Sequence, residues 1–216
     1  PNGAGKTTLF DVIAGARRAL EGSVSLDGED ITRRSELWRA RHGVARTFQR
    51  QQLFGSLTVE ENVLAALEWR GGGGGLAADL IGARSRRRLT EERRVQAAEA
   101  LELCGVAEHA TRQVGGLPIG VGRLVELARA LVVKPRVLLL DEPRSGLGAA
   151  DSEHLASLLR TIGAEHGCSV LLVEHDMSFV MSLCERIVVL QRGTVLAQGR
   201  PEEIQQDQEV RDAYLG

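Results

Sequence analysis

The chain opens on Pro1-Asn2-Gly3-Ala4-Gly5-Lys6-Thr7-Thr8. Gly5, Lys6 and Thr7 fill the last three places of the pattern G-x-x-x-x-G-K-[ST], whose first glycine would stand just before Pro1. Backbone N–H groups turning through such a loop into a helix make a cradle for phosphate anions. Asn2, Gly3, Ala4, Gly5, Lys6, Thr7 and Thr8 are therefore expected to line a phosphate site. Lys6 would bring a point charge to the β/γ-phosphates, and the Thr7 hydroxyl would hold Mg²⁺. A strand is expected to lead into this loop from upstream of Pro1. Without that strand the loop is expected to bind nucleotide poorly.

Composition narrows the partners. Hydrophobic residues make up 43% of the 216 and charged residues 26%, the balance of a globular domain long enough to bury a core. The formal net charge of -2 gives no electrostatic case for nucleic acid or an acidic membrane. Only Lys6 and Lys134 are lysines among 27 basic residues, so a lysine at the loop position stands out. No apolar run reaches the roughly 18–20 residues that cross a bilayer. Cys104, Cys168 and Cys184 lack metal-binding spacing and read as reduced, mostly buried thiols.

Hydrophobic patterning predicts an α/β core interrupted by helices. A helix is expected over 7–16, with Leu9, Ile13 and Ala16 on its inner side, then a strand over 23–26 ended by Asp27-Gly28. A helix over 31–41 and a strand over 43–48 follow. Residues 50–126 read as a helical insertion carrying the glycine run Gly71 to Gly75. Within it the cluster Arg84, Arg86, Arg87, Arg88, Arg93 and Arg94 reads as a solvated helix face, since glutamates interrupt it and no aromatic is interleaved. Thr90 is the expected N-cap of a helix burying Val95, Ala98, Leu101 and Cys104. Strands are then expected over 137–141, 169–174, 187–190 and 194–197, with helices over 152–165 and 177–184. The unalternating apolar strands imply a parallel sheet covered on both faces.

The strand Val137-Leu138-Leu139-Leu140-Asp141 ends in the acids that complete the phosphate loop's chemistry. Asp141 is placed to hold Mg²⁺ through water, and Glu142 to polarise a water against the γ-phosphate.

With these residues in view, the chain resembles the ATP-binding subunit of an ABC transporter over essentially its whole length. The landmarks run in that family's order: the loop at Gly3 to Thr8, a Q-loop glutamine at Gln49 and a signature-like Leu117-Pro118-Ile119-Gly120-Val121. The acidic strand to Glu142, a D-loop at Ser145-Gly146-Leu147-Gly148 and a switch histidine at His175 follow. The resemblance implies a P-loop NTPase (RecA-like) core with a helical subdomain, an ABC-type nucleotide-binding domain spanning 1–216. It implies ATP and Mg²⁺ as cofactors. Gln49 would sense the γ-phosphate and Mg²⁺, His175 would contact the γ-phosphate, and Gly120 would let a signature helix approach a partner's nucleotide. Ala45 to Gln49, Leu53-Phe54, Leu57 to Asn62 and the closing Glu209 to Gly216 resemble the branched-chain (hydrophobic) amino-acid importer ATPases. Related urea and amide importers share these features.

The expected partners are a second ATPase subunit, either a paralogue or an identical copy, and integral membrane permease subunits, with a substrate-binding protein engaged indirectly. Nucleic acid is not an expected partner. The expected location is the cytoplasmic face of the inner membrane, held peripherally. Pro118, Val121, Gly122 and Gly148 depart from the family's usual serine, glutamines and D-loop acid, which favours an unlike partner. A soluble ABC ATPase acting on DNA or the ribosome and a non-hydrolysing regulatory subunit are the competing readings.

Overall fold

A computed structural model describes residues 1–47, 52–70 and 83–215, with side chains over 1–47, 52–67 and 89–213. Gly71 to Gly75 and the side chains of Arg84, Arg86, Arg87 and Arg88 lie outside the described parts.

The loop at Pro1–Gly5 runs into helix α1, Lys6–Ala14. The helix buries Phe10 and Ala14, one turn apart, while Leu9 faces solvent at 44% exposure. The inner face is thus rotated one residue from the expected Leu9–Ile13–Ala16 line. A hairpin of β1 (Ser25–Leu26) and β2 (Glu29–Asp30) turns at Asp27-Gly28. Helix α2 covers Glu36–Arg41, five residues shorter at its start than expected. Two side chains explain the loss. Asp30 Oδ1 accepts from Thr32 N–H at 2.8 Å, and Ser35 Oγ caps the helix by accepting from Trp38 N–H at 3.2 Å. Such local bonds offer the backbone an alternative to helix until the cap is passed.

Strands β3 (Val44–Arg46), β4 (Val137–Asp141) and β5 (Ser169–Val173) form a parallel sheet in that spatial order. β4 lies at its centre and is buried from Leu138 to Asp141. β5 departs from the expected two-sided burial: Leu171 is 41% exposed. Val170 and Leu172 pack on the main hydrophobic cluster, so along 170–172 only one face of β5 is covered. Strands β6 (Ile187–Gln191) and β7 (Thr194–Gly199) pair antiparallel around Arg192-Gly193.

Between β3 and β4 come helices α3 (Val59–Arg70), α4 (Ala83–Leu103) and α5 (Ile119–Leu131). Their apolar faces join β4 and α6 (Ala149–Glu165) in one hydrophobic cluster that includes Val63, Leu101, Val125, Leu138 and Leu159. Thr90 is interior to α4 and does not cap it. The buried line is Ala97, Ala100, Leu101 and Cys104, whereas Val95 and Ala98 are exposed. A repeat of three residues drifts by about 60° per step around a 3.6-residue helix, so Val95–Ala98–Leu101–Cys104 cannot share a face. Burial pushes the Cys104 thiol up to about 12. The remaining elements are α7 (Met177–Leu183), α8 (Pro201–Gln206) and α9 (Gln208–Leu215). No described helix is long and apolar enough to cross a membrane.

One buried cation anchors the helix that follows the loop. Arg39 is 2% exposed. Its Nη1 donates to the carbonyls of Val12 (2.7 Å) and Ile13 (2.8 Å), in the last turn of α1. Its Nη2 donates to Thr32 O and its Nε to Arg34 O. The charge thus sits at the negative end of the α1 dipole, on the Ile13 carbonyl and on the Val12 carbonyl that also accepts from the Gly15 N–H at 3.3 Å. Arg39→Met should remove these charge-assisted bonds and lower stability by about 3 kcal/mol or more. Denaturant unfolding measures it, and a loss under about 1 kcal/mol would show that α1 is anchored otherwise.

Candidate active site

The phosphate loop takes a conformation that its glycines make affordable. Gly3 and Gly5 have φ of 73° and 97°, the left-handed region closed to most side chains. Gly5 is the N-cap of α1 and offers no side-chain cap, so the first N–H groups of α1 point into the loop without a competing side-chain acceptor. Lys6 Nζ reaches back across the loop to donate to Pro1 O at 2.7 Å. Ala4 is buried, and its carbonyl accepts from Gly193 N–H at 3.1 Å, so the β6–β7 turn braces the loop from behind. Asn2, Gly3, Thr7 and Thr8 are exposed. A bare helix start, an ammonium and an exposed hydroxyl are a donor set that fits phosphate and a hard cation.

The acids at the end of β4 come to this helix through Arg46, the last residue of β3. Its Nη1 lies 2.6 Å from Asp11 Oδ1 on α1, and its Nη2 lies 3.4 Å from Asp141 Oδ2. Arg46 and Asp141 are buried, at 10% and 7% exposure, while Asp11 is 31% exposed. One guanidinium thus bridges a buried carboxylate and a partly exposed one. The Arg46 Cζ also lies 5.8 Å from the centre of the Phe10 ring.

Glu142 follows with φ of 50°, an uncommon left-handed residue that breaks the strand. Its N–H still donates to Val173 O at 2.9 Å, while its Oε1 lies 2.6 Å from His175 Nε2. With its proton on Nε2, His175 donates to the Glu142 carboxylate. The sequence separates these residues by 33 positions, and parallel β4 and β5 bring them together because Asp141 is in register with Val173.

The signature-like residues pack against the segment that follows β4: a Cβ on Gly146 would lie 3.3 Å from Ile119 Cγ2. Helix α5 starts at Ile119 after Pro118, which supplies no cap. The atoms closest to the position of a Cβ on Gly120 belong to Asp151 and Leu147: Asp151 Oδ2 would be 2.8 Å away. Gly120 is thus packed tightly within its own chain, against the first turn of α6. Gly148 is the N-cap of α6 and gives it no side-chain bond. Gln49 lies outside the described residues.

The sequence profile of the family described as ABC transporter matches residues 1–145, carrying both the phosphate loop and the acids of β4. The chain belongs to the ABC transporter family. A second profile, described as branched-chain amino acid ATP-binding cassette transporter, matches residues 194–216. The high-affinity branched-chain amino acid transport ATP-binding protein BraF of Pseudomonas aeruginosa is 41% identical over 216 residues, covering 100% of this chain and 84% of BraF. The corresponding LivG protein of Escherichia coli K12 is 40% identical with the same coverage. Among solved structures, the ADP conformation of the ATP-binding cassette MJ1267 superposes with a TM-score of 0.84 at 29% identity, covering 100% of this chain and 85% of that one. The fold is therefore the P-loop α/β core of an ABC ATP-binding cassette.

Two positioning residues of the cassette escaped the sequence reading. Arg46 was visible only as part of a family-like segment. Asn62, fully buried, accepts from Phe54 N–H and donates to the carbonyls of Phe54 and Thr58, which clamps the segment after Gln49. The pattern Thr58-x-x-Glu61 forms a capping box at the start of α3 and was a readable signal.

Arg46→Met should lower stability by about 3–5 kcal/mol, because it leaves Asp141 buried, and Asp11 partly buried, without their cation. Adding Asp11→Asn to it should recover part of that loss. Equilibrium unfolding of the singles and the double gives the cycle; strictly additive losses would refute a shared ion cluster.

Proposed function

We propose that this cassette binds and hydrolyses ATP to drive an importer of branched-chain or other hydrophobic amino acids. The observation that carries the catalytic part is the contact of His175 with Glu142 at the end of β4, beside the helix of the phosphate loop. The amino-acid part is supported by the likeness to BraF and LivG and by the second profile over 194–216.

In this reading Asn2 to Thr8 hold the phosphates, with Lys6 on the β/γ-phosphates. Thr7 and Asp141 would hold Mg²⁺, and Gln49 would report on the same ion. That ion, when bound, would supply divalent charge against the phosphate oxygens. Glu142 takes the proton of the attacking water, and His175 holds that carboxylate in place and reaches toward the γ-phosphate. The signature helix start at Ile119-Gly120 serves the nucleotide on a second subunit.

Residues 50–126 act as the helical subdomain. A groove of about 650 Å³ lies where it meets the core, lined by Ala45, Leu53, Phe54, Ala66 and Arg129 among others. Phe54 is exposed there, and the Asn62 clamp holds its loop. We place the permease subunits against this face, along Leu53 to Val63, with the cassette held peripherally at the cytoplasmic side of the membrane. Pro118 and Gly148 weaken the face offered to a partner's nucleotide, so an unlike ATPase subunit with a serine-bearing signature is the proposed neighbour.

Two measurements on the purified protein test this. Glu142→Gln should cut hydrolysis by roughly 10²–10⁴-fold while ATP still binds, and Lys6→Ala should weaken binding itself. Near-normal turnover in Glu142→Gln would remove its role as base. Co-purification with a neighbouring paralogue should raise the rate per intact site; equal rates with and without it would argue for a homodimer.

A further inference from the structure

We propose that Arg144 is a positioning residue for the switch histidine: it holds both sequence neighbours of His175 and so sets the contact between His175 and Glu142. This rests on the reading of Glu142 and His175 given above.

The chain supplies the geometry. The Arg144 N–H donates to Glu174 Oε1 at 2.9 Å, and the Arg144 guanidinium pairs with the Asp176 carboxylate. Each of these acids divides its two oxygens. Glu174 gives Oε1 to Arg144 and Oε2 to the N–H of His175, at 3.2 Å. Asp176 gives Oδ2 to Arg144, and Oδ1 to the Phe179 N–H (3.0 Å) and the Ser178 hydroxyl, which caps α7. The Ser178 hydroxyl first, then the Phe179 N–H and Arg144, hold Asp176 well below the usual carboxylate range. The Arg144 Cζ also lies 5.0 Å from the centre of the Phe179 ring, on the first turn of α7.

His175 therefore sits between two carboxylates, each tied to one residue of the facing strand-end loop. Its ring is 40% exposed and contacts Glu142, two residues before Arg144. The Glu142 N–H to Val173 O bond closes the other end of the clamp. Asp176 already has a role at the helix start, so the Arg144 pair transmits the position of α7 to the loop that carries Glu142. Loss of the guanidinium frees the 175–176 backbone to shift against Glu142. A shift of the order of 1 Å at a catalytic group lowers turnover by about 10²-fold.

The test uses Arg144→Met, which keeps length and the packing on Phe179, and Arg144→Lys, which keeps the charge. Asp176→Asn, which keeps a capping oxygen, probes the same pair from the other side. We expect Arg144→Met to lower kcat by about 10–100-fold with KM for ATP within about twofold, and Arg144→Lys to recover most of it. Asp176→Asn should behave like Arg144→Met, and the double variant should be no worse than either single. A second readout needs no nucleotide. The imidazole nitrogen signals of His175, assigned by their loss in His175→Gln, should move in Arg144→Met toward those of an unpartnered ring and return in Arg144→Lys. Unchanged imidazole signals, a KM rise that matches the kcat loss, or multiplicative effects in the double variant would each overturn the proposal. Glu142→Gln is run alongside: if it stays active, the reading of Glu142 fails, whereas an inactive Glu142→Gln with an unaffected Arg144→Met sinks only the role of Arg144.

Discussion

The Arg46 guanidinium is shared between Asp11 on the helix of the phosphate loop and Asp141 at the end of the central strand. That shared cation sets how the rest of the site is arranged. It lets Asp141 remain in the interior, and it fixes the spacing between the loop that would cradle phosphate and the strand that would hold its metal ion. Arg39 secures the same helix at its other end by taking up the Val12 and Ile13 carbonyls. With α1 pinned at its C-terminal end and midway, its N-terminus is left to present Gly5, Lys6 and Thr7 as a rigid group. Preorganisation of this kind is what electrostatic catalysis requires, since donors already in place need no rearrangement as charge develops.

Much of the site was legible because it is written in short segments. The loop at 1–8 and the apolar strand closing on Asp141-Glu142 declare themselves within eight residues each, and the resemblance to ABC cassettes followed from their order. Pairings across long sequence distance were not legible. Nothing local marks Arg46 as the partner of Asp11 and Asp141, or Arg39 as a cap for α1, because an arginine in an arginine-rich chain carries little information. The misread faces of α1 and α4 have a common cause. Apolar residues outnumber buried places on both helices, so the choice between neighbouring lines rests on packing that only the fold supplies. Helix α2 starts late because Asp30 and Ser35 capture nearby N–H groups, a competition that periodicity does not register.

In the proposed reading a single chain supplies half of the closed site. Loop, acids and histidine gather at one end of the sheet, while the start of α5 packs its Gly120 against Asp151. The departures at Pro118 and Gly148 fall on exposed residues. This division fits a subunit that keeps its own nucleotide machinery whole and relies on a neighbour to close over it.

The most direct measurement is the ATPase rate per subunit as a function of subunit concentration, with the proposed neighbour present in equal amount. If each site closes only between two cassettes, the rate per subunit falls toward zero on dilution and rises to a plateau as pairs form. A rate per subunit that stays constant down to concentrations where light scattering finds only single chains would contradict the account, because one cassette would then hydrolyse ATP without a second to complete its site.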